Sequence, residues 1–483
     1  MAEYLAPGVF VEDNPNAPVI EAVSSSTAAF IGVTPRGEAN KPKLVTSWNE
    51  FLSKFAFGVD SAFMRDSDLS YSVYGFFMNG GKRCYITRVI SEETTKAVSL
   101  FPSEAESEVE STTPYIEAKD EGEWGNNLSV SITANEDNAE LFDVTVKVNG
   151  DVVEVIKSVS NNVSDSNYWV TSVGEQSDFI SPISGSIYPI SDVKFASGVD
   201  GIEGIDDNTY IAALNLLDSL EDVNLLAVPG QTSDNMLKSI INYTEKRGDL
   251  FALLEAPETS TVESVRELRK KLSCKNAALI FPWIKVVDPL NNGKLRSCPP
   301  AGHCLGVYAR IISERGVWKV PAGTEANIRG AIEVVTSLTN GDLEVLNPNN
   351  IISIIPKTNY GIVIWGARNL NPDSSMKYVS DVLLDINIKK SIYNATQSFV
   401  FEPNDNVTWT KVKTTVEAFL DSIWRNGALY GDTAAQAYYV KCDEDLNTEA
   451  VRNSGRMICE VGYANKKPAE FVVFRFSHQV AST

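Results

Sequence analysis

The sequence predicts a mixed α/β protein of several domains, and three observations support this fold class. Apolar runs and amphipathic segments alternate between Ile205 and Gly316, as in strand–helix units of a parallel sheet that is covered on both faces. Short runs with alternating polar and apolar residues between 128 and 148 indicate antiparallel strands. The chain has 483 residues, and at roughly 100–200 residues per domain this length favours about three domains.

The first 22 residues predict an extended arm that contains one strand. The β-prone run Gly8–Val11 is followed by a polar stretch with Pro15 and Pro18, which excludes a helix. From about Ser24 to Arg88 the pattern changes to that of a compact domain. Here we expect buried strands at Ala28–Val33 and Cys84–Ile90, and a helix that begins at the capping-box sequence Ser47–Glu50.

Residues 101–200 predict a β-rich insertion with much of its surface in water. Its first stretch, Glu104–Glu123, contains eight acidic residues and one lysine, Lys119. The alternating runs Leu128–Thr133 and Phe142–Val148 predict strands, and Asn149-Gly150 is the strongest short signal for a hairpin turn.

The middle of the chain predicts alternating strands and helices. Strands are expected at Asp222–Val228, Phe251–Leu254 and Ala277–Phe281. A helix is expected over Thr232–Arg247, closed by Gly248, and a second helix from the capping-box sequence Ser260–Glu263 to about Leu272.

The last third resumes a mixed pattern. We expect strands at Ile351–Ile355 and Gly361–Trp365, a helix over Tyr378–Thr396, and a terminal strand at Glu470–Phe476. A further helix over Val407–Trp424 is predicted by an apolar stripe at i, i+3, i+4 spacing. The stripe consists of Trp409, Val412, Val416, Phe419, Leu420, Ile423 and Trp424.

Composition excludes several classes of function. The formal net charge is −21, which argues against binding to nucleic acid or to anionic membranes, because phosphate contacts require clustered Lys and Arg. The chain has only two histidines, His303 and His478, so acid–base and zinc catalysis are disfavoured. Its six scattered cysteines indicate reduced thiols. The first residues predict no secretory signal peptide, and no apolar run reaches the roughly 20 residues of a membrane span.

An enzymatic alternative centres on the loop Val228–Ser233, which leaves a predicted parallel strand for a helix, where α/β enzymes bind ligands. The chain lacks the glycine-rich dinucleotide motif, the phosphate-loop motif and the nucleophile-elbow motif. The run Cys298–Cys304 contains three soft metal ligands with His303, but no second ligand pair at matching spacing. We therefore predict no catalytic residue, no cofactor and no metal, and interpret Cys298–Cys304 as a rigid turn before a helix.

Both chain ends predict short strands that could join a neighbouring molecule's sheet. About 18 extended residues reach up to roughly 60 Å, so an arm of this length can cross its own domain and add its strand elsewhere. Folding back onto the same molecule is the alternative, and the residues alone do not decide between the two. The predicted arm strands comprise Val9, Phe10, Val11 and Glu12 at one end and Phe471, Val472, Val473, Phe474, Arg475 and Phe476 at the other.

The sequence also resembles the contractile tail sheath proteins of phage tails, R-type bacteriocins and extracellular contractile injection systems. The resemblance is strong along nearly the full chain, except that residues 101–200 match little beyond Trp124–Leu128. The matching motifs, in order, are Tyr4–Glu12, Ser25–Val33, Trp124–Leu128, Leu225–Gly230, Phe281–Lys285, Pro299–His303, Arg315–Gly323, Ile364–Arg368, Phe399–Asn404, Phe419–Leu429 and Lys467–Phe471.

This resemblance implies a structural subunit that forms stacked six-membered rings around an inner tube, and that contracts to drive the tube through a target envelope. It implies a homo-oligomer with an inner tube protein, baseplate and terminator proteins and sister sheath proteins as partners, assembled in the producer cytoplasm and released as an extracellular particle. In the helix over 407–426, it implies Lys411, Lys413 and Arg425 as a candidate tube contact. The implied segments are a linking arm at 1–22, core parts at 23–100 and 355–465, an outward insertion at 101–200, an α/β middle domain at 201–354 and a linking arm at 466–483.

Overall fold

The computed structural model describes residues 20, 25–59, 61–99, 116–183, 186–371, 375–471 and 473. These residues form two units. The larger unit comprises residues 25–314 and 321–379, and the smaller one comprises residues 315–320 and the described residues from 380 onward, together with residue 20.

The strands of the first half are β1 Ala28–Gly32, β2 Lys43–Val45, β3 Cys84–Arg88, β4 Val98–Ser99, β5 Ile116–Ala118, β6 Leu128–Ala134, β7 Leu141–Val148, β8 Asp151–Ser160, β9 Ile180–Pro182 and β10 Ile190–Lys194. Those of the second half are β11 Leu225–Ala227, β12 Phe251–Glu255, β13 Ala277–Phe281, β14 Ile284–Val287, β15 Leu295–Cys298, β16 Ala331–Val334, β17 Ile351–Lys357, β18 Gly361–Trp365, β19 Tyr438–Lys441 and β20 Glu460–Tyr463. The α-helices are α1 Trp48–Phe55, α2 Leu69–Met78, α3 Trp169–Gln176, α4 Asp207–Asn215, α5 Asp234–Arg247, α6 Val262–Lys270, α7 Ala301–Arg315, α8 Asn340–Leu346, α9 Val379–Thr396, α10 Asn406–Arg425, α11 Ala434–Ala437 and α12 Glu449–Asn453.

The larger unit is built on an eight-stranded sheet with the order β18-β17-β13-β12-β11-β1-β3-β2. Its six inner strands are parallel, and β2 and β18 at the two edges are antiparallel to their neighbours. Every residue of β1, β12 and β13 is buried, as expected for parallel strands covered on both faces. The predicted parallel α/β sheet is therefore confirmed, and it joins strands that the sequence analysis assigned to separate segments of the chain.

Helices α2 and α7 pack together closely because glycines face the contact. A Cβ atom at Gly302 would lie 2.5 Å from the backbone oxygen of Ser72, and one at Gly306 would meet the backbone oxygen of Phe76. Real Cβ atoms do not approach backbone atoms this closely, so both positions require glycine. This contact holds the first half of α7 against α2.

The predicted hairpin at Asn149-Gly150 is confirmed. Strands β7 and β8 pair antiparallel on either side of it, and both turn residues have positive φ angles, 51° and 92°, as a two-residue hairpin turn requires. A four-stranded sheet of order β10-β6-β7-β8 and a three-stranded sheet of order β4-β5-β9 enclose a separate apolar core that contains Trp124 and Trp169.

Several predicted element boundaries need correction. The strand expected over Asp222–Val228 is only Leu225–Ala227. The cap of α6 is Thr261 with Ser264 as its reciprocal partner, one residue later than the predicted pair Ser260 and Glu263, because the Ser264 hydroxyl reaches the Thr261 N–H at 2.8 Å. At α1 the predicted cap Ser47 is confirmed, but the Glu50 carboxylate accepts from the Thr46 N–H.

The smaller unit contains the long helices α9 and α10, with β19 and β20 beyond them. Helix α10 begins at the cap Asp405, whose carboxylate accepts hydrogen bonds from the N–H groups of Val407 and Thr408. Six of the seven predicted stripe residues of α10 are buried, and Trp424 is half-buried with its indole N–H donated to the Gly431 carbonyl oxygen at 2.9 Å. Among all helices in the described ranges, none is both long and apolar enough to cross a membrane.

Candidate functional site

The smaller unit contains a two-stranded antiparallel sheet formed by β19 and β20. Tyr438 pairs with Tyr463 at one end of the ladder, and Lys441 pairs with Glu460 at the other. In the part of the chain that the structure describes, no third strand joins this sheet. Because alternate backbone groups of a strand point to opposite sides, each of the two strands presents N–H and C=O groups along an open edge.

The sheet has one face against α10 and one face toward solvent. Val440 is buried, whereas its neighbour Tyr439 is 54% exposed and donates a hydrogen bond from its hydroxyl group to the Glu460 carboxylate at 2.7 Å. The Tyr439 ring lies directly over Gly462 of the paired strand, where any side chain would collide with it. An isolated two-stranded sheet is marginally stable in water, so packing on α10 holds these strands in place.

Asn447 fixes the connection between the two strands. Its side chain is buried, and it bonds to both backbone groups of Ile458: the amide donates to the carbonyl oxygen at 2.9 Å, and the amide oxygen accepts from the N–H at 2.7 Å. These two hydrogen bonds resemble those of a backbone strand pair. They fix the position of Ile458, two residues before β20 begins.

The segment that follows β20 is tied to helix α9. The Tyr463 hydroxyl donates a hydrogen bond to Asp385, and Lys467 forms an ion pair with Asp381 at 2.8 Å. Burial, followed by the charge of Asp385, raises the pKa of Tyr463. These contacts hold the chain in place up to Lys467, at the start of the predicted C-terminal arm and four residues before its predicted strand Phe471–Phe476.

The predicted arm strands fall largely outside the described residues. This applies to Val9, Phe10, Val11, Glu12, Val472, Phe474, Arg475 and Phe476. Phe471 and Val473 are described: they have irregular backbone, and their side chains are 72% and 76% exposed. The predicted pairing of the arms with a sheet therefore stays a prediction.

The three predicted tube-contact residues lie along α10. Lys411 is exposed. Lys413 lies 3.8 Å from Glu417, and Arg425 lies 2.6 Å from Asp421, each an ion pair across one helical turn. Exposed pairs of this kind contribute about 0–1 kcal/mol to stability, so both cations can exchange their carboxylate for another partner at little cost.

The loop Val228–Ser233, the enzymatic alternative, lies at the carboxyl edge of the large sheet next to a buried carboxyl group. Glu255, 3% exposed, accepts a hydrogen bond from the Gly230 N–H at 2.9 Å and another from the Ala301 N–H at 2.7 Å, at the start of α7. These are the kinds of donor that bind phosphate groups in α/β enzymes. Here the protein's own side chain occupies both donors.

Burial has the largest effect on the pKa values of the two carboxyl groups in this region, Glu255 and Asp68. It raises the pKa of Glu255 to about 8, although the two N–H donors act in the opposite direction. Asp68 lies nearby, and burial also raises its pKa, opposed by its ion pair with Arg296 at 2.7 Å. At neutral pH Glu255 is therefore largely an uncharged acid. Its hydrogen bonds link the loop Val228–Ser233 to the start of α7, so its role is structural.

The run Cys298–Cys304 was predicted to be a turn before a helix, but only Pro299 and Pro300 lie between elements: Cys298 ends β15, and His303 and Cys304 lie in the first turn of α7. Cys298, His303 and Cys304 are all buried, and burial lowers the pKa of His303 to about 4. No group of three or more His, Cys, Asp or Glu side chains within the described ranges could hold a metal ion.

The two strands of the open sheet and the role of Asn447 were not predicted from the sequence. The strand sequences, Tyr438-Tyr-Val-Lys and Glu460-Val-Gly-Tyr, are four residues each. Their aromatic and β-branched residues were the available signal, but runs this short are common in loops. Nothing local indicates that Asn447 pairs with a residue eleven positions later.

Two family models match consecutive parts of the chain. The model described as the phage tail sheath protein central domain matches residues 203–370, and the model described as the phage tail sheath C-terminal domain matches residues 371–479. Together they cover more than half of the chain.

Two curated proteins are similar in sequence. The tail sheath protein of Salmonella phage ViI is 25% identical over 300 residues, which are 59% of this chain and 46% of that protein. The tail sheath protein of Vibrio phage KVP40 is 24% identical over 404 residues, which are 72% of this chain and 57% of that protein. The chain thus spans about half the length of the curated relatives it matches.

Solved structures share the fold. The helical sheath of the anti-feeding prophage in its contracted state has a TM-score of 0.62 at 21% identity, over 99% of this chain and 100% of the other. The contracted sheath complex of the extracellular contractile injection system PVC has a TM-score of 0.61 at 21% identity, with 99% of each chain covered. A sheath tail protein from Listeria innocua has a TM-score of 0.65 at 13% identity, over 92% of this chain and 96% of the other.

Proposed function

Because this chain belongs to the phage tail sheath protein family, we propose that it is the structural subunit of a contractile sheath. Copies of the chain form stacked six-membered rings around an inner tube, and the assembled sheath contracts to drive that tube through a target cell envelope. The chain acts through its interfaces and performs no catalysis.

The observation that carries this proposal is the open two-stranded sheet β19–β20. Each strand has one unpaired edge within the described residues, so the sheet can accept one further strand on each side. We propose that Val9–Glu12 of one neighbouring copy and Phe471–Phe476 of another supply these two strands. Main-chain hydrogen bonds would give the affinity, and alternating side chains would give the register.

The arm lengths support exchange between copies. Lys467 is anchored on α9, and 16 residues follow it to Thr483. Fully extended, such a segment reaches on the order of 50 Å. Phe471 and Val473, directly beyond the anchor, have exposed side chains, which suits a segment whose partner is another molecule.

In this proposal contraction is a rigid-body rearrangement of folded subunits. The energy is stored as the difference between two packings of the same subunits, with the shared sheets as tethers that survive the rearrangement. A small difference per subunit is multiplied over many copies, so no nucleotide, metal or cofactor is needed. The position of Glu255 on the donors of Gly230 and Ala301 supports a structural role for the crevice that an enzyme would use.

The proposed partners are further copies of the chain, an inner tube protein, baseplate and terminator proteins, and sister sheath proteins. We propose assembly in the producer cytoplasm and release as an extracellular particle. The solved neighbours support the baseplate partner and the extracellular particle, since they include the baseplate of the anti-feeding prophage and an extracellular contractile injection system.

We propose that α10 of the smaller unit faces the tube, with Lys411, Lys413 and Arg425 as contacts, and that residues 101–200 project outward. The weak exposed pairs of Lys413 and Arg425 leave both cations available to carboxylates of a tube protein. The acidic run Glu104–Glu123 would then lie on the outside of the particle, where like charge keeps assembled sheaths apart in solution.

Negative-stain microscopy of the chain, purified alone and co-expressed with a tube protein, tests this function. Tubes or striated sheaths support it. Monomers that form no ordered assembly under either condition, but that bind nucleotide or turn over a substrate, would establish the enzymatic alternative at Val228–Ser233 instead.

A further inference from the structure

Two cysteines lie opposite one another at the end of the β19–β20 ladder. The last pair of the ladder is Lys441 with Glu460, so the next residue outward on each strand, Cys442 and Cys459, continues the same antiparallel register. Directly opposite residues of an antiparallel pair have Cβ atoms about 4.5–5.5 Å apart, close to the separation that a disulfide bridges. The remaining four cysteines are all buried in the larger unit.

Local contacts hold the two thiols together. They lie close enough that each thiol contributes to the pKa shift of the other. Asn447, which clamps the backbone of Ile458 beside Cys459, also lies within 3.9 Å of the Cys442 sulfur. The placement of Cys442 opposite Cys459 therefore follows from the register of the strands and from the Asn447 contacts, and oxidation does not require the strands to slide.

We propose that Cys442 and Cys459 form a reversible disulfide that closes the end of the β19–β20 sheet. A low-molecular-weight disulfide such as oxidised glutathione is the oxidant. The thiolate of Cys459, the more exposed of the two, attacks it and releases one glutathione thiolate. The thiolate of Cys442 then attacks the mixed disulfide and releases the second. Two protons pass from the cysteines to the two glutathione thiolates, and two sulfurs of the protein are oxidised while two of glutathione are reduced.

The surroundings make this reaction slow at neutral pH and faster in alkaline solution. Burial raises the pKa of Cys459 to about 12 and also raises the pKa of Cys442. The charged groups that face the pair are Lys413, which lowers both pKa values, Glu417, which raises that of Cys459, and Asp443, which raises that of Cys442. Because the thiolate is the nucleophile, the rate of closure increases as the pH rises toward the pKa of Cys459.

The disulfide closes a loop that contains α12 and Asn447. It also constrains the ends of the two strands that are proposed to accept the arms of neighbouring copies. That consequence rests on the proposed function: a sheath subunit is reduced in the producer cytoplasm and meets oxidising conditions after release. Formation of the bond does not depend on the proposed function, since it requires only the register of β19 and β20. The two claims can therefore fail separately.

The test uses the purified full-length chain, incubated with oxidised glutathione at pH 8.5, quenched in acid and then unfolded. Free thiols fall from six to four, and trypsin releases the peptides Cys442–Arg452 and Met457–Lys466 joined by a disulfide. The midpoint of thermal unfolding rises by a few degrees on oxidation, and dithiothreitol reverses the change.

The matched control is Cys442→Ser, in which Cys459 stops at the mixed disulfide with glutathione, no linked peptide pair appears and the midpoint does not rise. Six free thiols in the oxidised wild-type chain, or links that join other cysteines, would overturn the proposed site. A linked peptide pair without a rise in the midpoint of thermal unfolding would show that the disulfide does not stabilise the β19–β20 sheet. Neither result bears on whether the chain forms tubes, which microscopy decides.

Discussion

The ammonium group of Lys467 lies 2.8 Å from the Asp381 carboxylate, whose side chain is only 1% exposed. The pair joins the segment after β20 to the first turn of α9. A carboxylate this deeply buried depends on its partners, because loss of a charged partner leaves a desolvated charge. The contact therefore sets the point from which the predicted C-terminal arm departs.

We expect Lys467→Met to lower the free energy of unfolding by about 1–3 kcal/mol, since methionine keeps the aliphatic stem but not the charge. The neighbouring exposed Lys466 provides the control, and Lys466→Met should change stability by less than about 0.5 kcal/mol. Urea unfolding followed by tryptophan fluorescence compares the two. Equal decreases in the free energy of unfolding for both variants would show that the ion pair between Lys467 and Asp381 does not stabilise the fold.

The close packing of α2 on α7 gives a second prediction. Gly306→Ala should cost about 1–3 kcal/mol of stability, because the new methyl group meets the Phe76 backbone oxygen. Gly174→Ala in α3 is the matched control: the nearest atom to its new methyl group is 3.9 Å away, so alanine should stabilise the helix by about 0.4–1 kcal/mol. Thermal unfolding of both variants shows the opposite signs, and a neutral Gly306→Ala would contradict the helix contact.

Glu255 gives a prediction about pH. Its pKa is about 8 in the folded chain and about 4.5 when unfolded. Between these values the folded chain retains a proton that the unfolded chain has released, so this group lowers the free energy of unfolding as pH rises from 4.5 to 8. The total decrease in the free energy of unfolding between pH 4.5 and 8 is about 3–5 kcal/mol.

The variant Glu255→Gln removes this proton. Its stability relative to the wild type should therefore improve steadily between pH 4.5 and 8 and then stay constant. Urea unfolding of both chains at half-unit pH intervals measures the difference between their free energies of unfolding. The titration of all other groups contributes equally to both chains and cancels in this difference. A difference that does not vary with pH would show that Glu255 is not a protonated acid in the folded chain.

Deletion of residues 1–14 should abolish assembly while the chain remains folded. These residues contain the predicted strand Val9–Glu12 but no residue that the structure describes, so the loss should affect contacts between copies. Circular dichroism and size-exclusion chromatography report the folded monomer, and negative-stain microscopy reports assembly. Normal tubes from the truncated chain would refute the role of this arm.

Local signals were sufficient for much of the fold. The Asn149-Gly150 turn predicts its hairpin because few residue pairs adopt positive φ at both positions. Gly248 closes α5 in the left-handed conformation, with φ 71°, which few other residues adopt readily. The strand Ala277–Phe281 has the predicted bounds, since five consecutive apolar residues fit only a fully buried strand or a buried helix turn.

Contacts between distant residues could not be predicted. Glu255 bonds to Ala301, 46 positions away, and a local pattern says nothing about such a partner. The strands β19 and β20 are too short to give a periodic signal, and their importance comes from their open edges, which only the sheet topology reveals. The arm strands were predicted from the sequence, and whether they pair with these edges is a question for the assembled particle.

Cryo-EM reconstruction of tubes formed by the full-length chain shows directly which strands complete the β19–β20 sheet. We predict a four-stranded sheet in every subunit, with β19 and β20 at its centre and one strand from each of two neighbouring copies at its edges. A β19–β20 sheet whose edges remain open in the assembled tube, or whose added strands come from the same copy, would contradict it.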